Sequence, residues 1–276
     1  MFSLSGAGKV LVLERPVVMG IINCTPDSFY SGSRVQQIDQ GLRLAEEQIR
    51  QGAMILDLGG QSTQPGSEPV AASEEIARVI PLLSEIRKEF PEVFISIDTF
   101  QAAVAQAAVD AGADMINDIS GGQIDPDIRQ IVARHHLPYV LMHLKGTPQT
   151  MQGMTSYADV TDAVLQYFER QIDDCQAQGI HQLILDPGIG FAKTIEQNFQ
   201  LLREWDRFTN LPYPVLVGLS RKSLIYKTLD IDPLLAGNGT TALHMQALLK
   251  GTKILRAHDV RPAWETIQLF QALQTD

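Results

Sequence analysis

Phe94-Ile95-Ser96-Ile97-Asp98 is a short, mostly apolar run that stops on a carboxylate, and its reading decides the fold. The same punctuation recurs at Gly20-Ile21-Ile22-Asn23, Met115-Ile116-Asn117-Asp118, Leu141-Met142-His143 and Leu183-Ile184-Leu185-Asp186. It returns at Val215-Leu216-Val217-Gly218-Leu219-Ser220-Arg221-Lys222 and at Ile254-Leu255-Arg256-Ala257-His258-Asp259. A parallel sheet covered on both faces makes its strands continuous apolar runs, so a strand first offers a charge or an amide at its end. Such a chain reads as an enzyme whose chemistry sits where buried strands stop.

Counting outward from Phe94, the runs near 17–23, 54–60, 94–99, 115–120, 139–143, 183–188, 215–220 and 253–259 give about eight strands. Segments with helical spacing separate most of them, such as Ile38-Leu42-Ala45-Ile49 and Ile76-Val79-Ile80-Leu83-Ile86. Right-handed strand–helix crossovers repeated about eight times close into an α/β barrel of the TIM (β/α)8 type. An open doubly wound sheet competes, but it calls for a glycine-rich nucleotide turn after the first strand, which this chain lacks. Gly6-Ala7-Gly8-Lys9 has the wrong spacing for a phosphate loop, and no strand is expected before it. Val10-Leu11-Val12-Leu13 predicts a short strand or hairpin plugging the far end of the barrel.

With 276 residues, 45% of them hydrophobic and 20% charged, one large core can form, so residues 1–276 are expected to make a single domain. The net charge of −10 argues against a general nucleic-acid or membrane-surface binder, which would need a basic face. An anionic small molecule needs only a few local cations. Cys24 and Cys175 stand in no metal or redox spacing, which points to free thiols in a reducing compartment. No basic flank leads into a long apolar stretch near Met1, and no run approaches the roughly 20 residues needed to span a bilayer. A cytoplasmic location is the expectation.

Asp98, Asn117 and Asp186 close three different runs, so a barrel aims all three into one mouth. Asn offers a donor and an acceptor, while a carboxylate accepts from ring N–H and exocyclic amines. The set suits the edge of an aminopyrimidinone such as a pterin. Any one Asp could instead be a helix cap or structural ion pair; three at matching strand ends favour a site. Lys222 can meet a ring oxygen or nitrogen as a compact charge, and Ser223 opens a helical segment suited to an anion. Arg256 and His258, two apart in an extended segment, would leave one side of the eighth strand as an oxyanion clamp. A satisfied core histidine is the competing reading for His258, and the preferred one for His135, His136 and His181. Two loops, 23–34 and 59–67, are rich in Pro, Gly and hydroxyls, as plain turns are and as lids after barrel strands also are.

These motifs together resemble the dihydropteroate synthase family, pterin-binding barrels of folate synthesis, over nearly the whole chain. The matching segments are GIINCTPDSF from Gly20, DLGGQSTQPGS from Asp57, ISIDT from Ile95, MINDISGG from Met115, MHLKGTPQTMQ from Met142, LDPGIGF from Leu185, GLSRKS from Gly218 and LRAHDV from Leu255. The resemblance implies condensation of 6-hydroxymethyl-7,8-dihydropterin diphosphate with 4-aminobenzoate, assisted by Mg²⁺, in a homodimer that sulfonamides target. It further implies that Asp98, Asn117, Asp186 and Lys222 hold the pterin between Met142 and Phe191. Asn23 would help ligate Mg²⁺, and Thr63, Arg256 and His258 would hold the diphosphate. Phe29, Thr63, Pro65, Phe191 and Ser223 would frame the aminobenzoate. Catalysis would then rest on Asp98, Lys222, Arg256 and His258. The dimer would use Trp264, Ile267, Leu269 and Phe270, unless those residues only cover the barrel.

The chain departs from the family pattern at Gln61 and Gln64, where Glu and Arg are usual, and at Ser31 in place of Asp. Lesser departures are Lys145 for Arg, Ala192 in LDPGIGFAK and Ala257 between Arg256 and His258. Arg34 is a candidate to restore positive charge over the diphosphate. Two other functions compete: a degenerate pterin binder, and a methyltetrahydrofolate:corrinoid methyltransferase. The former would lose the diphosphate residues retained here, and the latter would lack the SRKS and RxHD pair.

Overall fold

The computed structural model describes residues 1–25, 34–62 and 66–274, with Arg34 described by its backbone alone. Its strands are β1 (Phe2–Gly6), β2 (Lys9–Leu13), β3 (Val17–Asn23), β4 (Ala53–Gly59), β5 (Phe94–Asp98), β6 (Met115–Asp118), β7 (Tyr139–Met142), β8 (Leu183–Asp186), β9 (Leu216–Gly218) and β10 (Ile254–Ala257). Its helices are α1 (Arg34–Arg50), α2 (Ala72–Glu89), α3 (Ala102–Asp110), α4 (Asp127–His135), α5 (Val160–Ala177), α6 (Ile195–Arg203), α7 (Asp206–Thr209), α8 (Ser223–Leu229), α9 (Gly237–Leu249) and α10 (Val260–Ala272).

Strands β3 to β10 pair in parallel in the order β8-β7-β6-β5-β4-β3-β10-β9. A bridge from Leu185 to Val215, with Leu185 N–H donating to the Pro214 carbonyl at 2.9 Å, joins the two ends and closes the ring. This is the expected (β/α)8 barrel, and each expected strand is present with its start within one residue. The strands end one or two residues before the expected limits where a turn follows. β9 stops at Gly218 because Lys222 N–H turns back onto the Leu219 carbonyl.

Two apolar layers follow from the alternation of side chains along a strand. One residue of each pair faces the helices, as Leu56, Ile95, Ile116, Leu141, Leu185, Val217 and Leu255 do in the main core. The other faces the barrel axis. Met19, Ile55, Phe94, Met115, Val140, Ile184, Leu216 and Ile254, one from each barrel strand, form a second cluster with Leu4, Leu11 and Leu13. Those leucines belong to the antiparallel hairpin of β1 and β2, so the hairpin plugs the barrel floor as expected. Lys9 and Arg87 both pair with the buried Asp114 and tie the plug to the barrel.

The helices take the spacing read from sequence. Val79, Leu82, Leu83 and Ile86 of α2 are buried against the sheet. Asp159 caps α5, and a Thr194–Gln197 capping box starts α6, which fixes where the segment after β8 must end. In α10, Ile267 is core and Trp264 packs over Gly52 beneath Arg261, whereas Leu269 is 63% exposed. No helix among the described residues is long and apolar enough to cross a membrane.

Candidate active site

Because the floor residues point inward, residues two or four positions further along the same strands point inward as well, one layer higher. That places Asp57, Asp98, Asn117, Met142, Asp186 and Arg256 around the mouth. Asp98 and Asn117 stand side by side in register, as do Met142 and Asp186. The three strand-end residues read from sequence therefore share the inward face of the barrel.

Arg256 ties the mouth together. Its Nε donates to Asp57 Oδ2 at 2.6 Å and its Nη2 to Asp98 Oδ2 at 2.6 Å, while Asn117 Nδ2 donates to the same Asp57 oxygen at 2.9 Å. Asp57 is completely buried and orients two of the sequence-derived site residues. The sequence reading missed it because it lies inside its strand, ahead of the more conspicuous Gly59-Gly60. Its place on the inward side of the alternation was the available signal. Oδ1 of Asp57 and Oδ1 of Asp98 have no partner among the described residues, so the mouth keeps buried acceptor capacity. Burial drives the Asp98 carboxyl above the usual range, against the pull of Arg256, and the Arg256 guanidinium is held firmly charged by Asp57 and Asp98.

Asp186 Oδ1 accepts from Gly188 N–H at 2.8 Å, and burial raises its carboxyl too, opposed chiefly by the charge of Lys222. The Lys222 side chain lies along Gly190 and Gly218, where an added Cβ would stand 3.1 and 3.5 Å from it. Its ammonium donates to the Ile189 carbonyl and sits 4.8 Å from the centroid of the Phe191 ring. Desolvation lowers this lysine to about 8. Met142 belongs to an apolar cluster with Phe100, Ile119, Leu144, Met151 and Ala192, against which Phe191 packs.

His258 follows the end of β10, and its Nδ1 lies 3.1 Å from Ser220 Oγ, which also accepts its backbone N–H at 3.2 Å. Desolvation within the concave mouth, then the charges of Arg256 and Arg221, pulls the ring down to about 4, although its outer edge meets solvent. The ring is neutral near pH 7. Arg221 grips Asp259 with two bonds of 2.9 and 2.6 Å, locking the loop before α8 to the loop after β10. Ser223 begins α8, and Asn23 stands exposed at the end of β3.

Phe29, Thr63 and Pro65, with the departures Ser31 and Gln64, lie outside the described residues, as does the Arg34 side chain. Gln61 is buried, and its Oε1 accepts Val70 N–H at 3.1 Å, so this departure anchors the returning limb of its own loop. His135, His136 and His181 are exposed, not core residues as expected; they sit at the end of α4 and before β8, on turns facing water. The buried histidines are His143, which closes the apolar run of β7, and His244, which carried no local signal.

Fold and mouth together define a barrel of the enzyme type, with a ring of buried polar side chains where its strands end. The model of the pterin binding enzyme family matches residues 19–258. A dihydropteroate synthase of Synechocystis sp. is 45% identical over 263 residues, spanning 94% of this chain and 91% of that protein. The Yersinia pestis dihydropteroate synthase solved with a sulfonamide drug superposes with a TM-score of 0.93 at 38% identity, each chain fully covered. The Xanthomonas albilineans dihydropteroate synthase solved with 4-aminobenzoic acid gives a TM-score of 0.93 at 37% identity, covering 99% of this chain and 98% of that one. The chain belongs to the pterin-binding enzyme family and, within it, to the dihydropteroate synthases.

Proposed function

We propose that the mouth joins 6-hydroxymethyl-7,8-dihydropterin diphosphate to 4-aminobenzoate, giving 7,8-dihydropteroate and pyrophosphate for folate biosynthesis, with the whole chain acting as one domain. The observation that carries the reading is the inward ring of Asp98, Asn117, Asp186 and Lys222 one layer above an apolar floor. In it, Asn117 and the two carboxylates take the donor edge of the pterin, Lys222 meets a ring acceptor, and Met142 and Phe191 bound its faces.

The diphosphate then lies toward Arg256, His258, Thr63 and Asn23. As the carbon–oxygen bond to the diphosphate breaks, Arg256 offsets the charge growing on the leaving group, and neutral His258 donates a hydrogen bond. Asp98 steadies the cationic methylene left on the pterin. The arylamine, framed by Phe29, Pro65, Phe191 and Ser223, forms the new carbon–nitrogen bond and releases one proton. No covalent enzyme intermediate is required. The single exposed amide oxygen of Asn23 fits a hard cation that arrives largely coordinated by phosphate and water; Mg²⁺ bound there would neutralise diphosphate charge. Sulfonamides, as aminobenzoate mimics, are the expected inhibitors at the same place. A cytoplasmic homodimer completes the proposal, in keeping with the two unpaired cysteines and the exposed Leu269 of α10.

The direct test is pyrophosphate release from the pterin diphosphate with Mg²⁺, with and without 4-aminobenzoate, while dihydropteroate is followed by chromatography. Coupled release and product formation are expected. Tight pterin binding without turnover would favour the degenerate-binder reading.

A further inference from the structure

Between Asp186 and α6 the backbone winds through three left-handed residues at alternate positions: Gly188 (φ 71°), Gly190 (φ 84°) and Ala192 (φ 49°). Two are glycines and carry this geometry freely, but Ala192 has a Cβ and is strained there. Strained backbone persists only where its surroundings hold it. The holder is Lys193, the next residue. Lys193 is only 9% exposed, and its Nζ makes three 3.0 Å contacts, to the carbonyls of Gly188 and Phe191 and to His143 Nδ1. Desolvation keeps His143 neutral, so its nitrogen can accept. The same winding presents Gly188 N–H to Asp186, the Ile189 carbonyl to Lys222 and the Phe191 ring beneath Lys222.

We propose that Lys193 is a positioning residue for the pterin: its three bonds hold the strained 188–192 winding so that Asp186, Phe191 and Lys222 keep their relative places. This rests on the pterin reading above. Lys193 touches no substrate; it fixes the carbonyls on either side of the turn that does. A buried lysine here, where an apolar residue could fill the volume, is explained by the carbonyls its Nζ gathers.

The test is binding of 6-hydroxymethylpterin, followed by fluorescence, together with steady-state kinetics, for wild type, Lys193→Met, Ala192→Gly and the double variant. Lys193→Met is expected to raise the pterin Kd and the KM for the pterin diphosphate at least tenfold, with the KM for 4-aminobenzoate within twofold. At saturating pterin diphosphate, kcat should change less than threefold. Adding Ala192→Gly should recover at least threefold of the lost affinity, because a relaxed winding needs less holding. Should Lys193→Met not accumulate folded, Lys193→Gln replaces it, with about a threefold rise expected. A folded Lys193 variant that binds pterin as wild type does, or a double variant that recovers nothing, overturns the proposal. Wild-type protein that fails to bind the pterin at all overturns instead the reading on which the proposal rests.

Discussion

The floor and the mouth of the barrel are built by the same eight strands, two to four residues apart, and they are chemical opposites. Phe94 and Asp98 share one face of β5, as Met115 and Asn117 share one face of β6. Below, a hairpin and eight apolar side chains exclude water; above, carboxylates, an amide and two cations satisfy one another only in part. The strand pleat dictates direction but not chemistry. The lesson is that rigidity comes from the floor and reactivity from the layer standing on it, so the two should respond differently to substitution.

The largest expected effect lies in the mouth. Lys222→Met should lower kcat/KM for the pterin diphosphate by about 10³-fold, the upper range for losing one preorganised charged donor. Its melting temperature should hold, because an apolar chain of similar length fills the desolvated lane. Parallel kinetics and thermal melts check both halves, and a variant that loses stability but not rate would break the distinction. On the floor, Phe94→Ala should cost about 3–5 kcal/mol of stability by leaving a cavity. Denaturant titration reads that loss, and the KM values of the folded protein should stay within about twofold of wild type.

Titration sharpens the contrast further. His143, buried beside the mouth, is held down to about 2, so its folded value lies below its unfolded one. Its contribution to stability is complete above the unfolded pKa near 6.5 and is lost as pH falls through the window toward 2. Relative to a His143→Gln variant, wild type should therefore lose about 1.4 kcal/mol per pH unit below about pH 6. The difference between the two proteins isolates this histidine from carboxyls such as Asp186, whose raised values act in the opposite sense. Equal slopes would mean that the ring is not held neutral by burial. The smallest effect is expected at Arg34, which the sequence suggests as a substitute cation. Arg34→Ala should lower kcat/KM by about tenfold, equivalent to about 1.4 kcal/mol, and an unchanged value would remove Arg34 from the diphosphate.

Much of this was legible in the chain itself. Apolar runs ending in Asp98, Asn117, Asp186 and Lys222 announced both the strands and the mouth, because burial on two faces leaves polar residues nowhere else to stand. Asp57 was not seen, since a charge inside a strand looks like an interruption until the inward side of the alternation is known. Lys193 was not seen, and His143, although it closes an apolar run, suggested no role; their contact joins residues 50 positions apart, and no local pattern encodes it. The three histidines assigned to the core proved exposed, because residue type says little about burial when the flanking turn faces water.

The plugged floor has a practical consequence for handling the protein. Met1 is 91% exposed beside the hairpin, at the pole opposite the mouth. A tether or affinity handle attached there would orient every molecule on a sensor surface with its mouth toward the flowing solution.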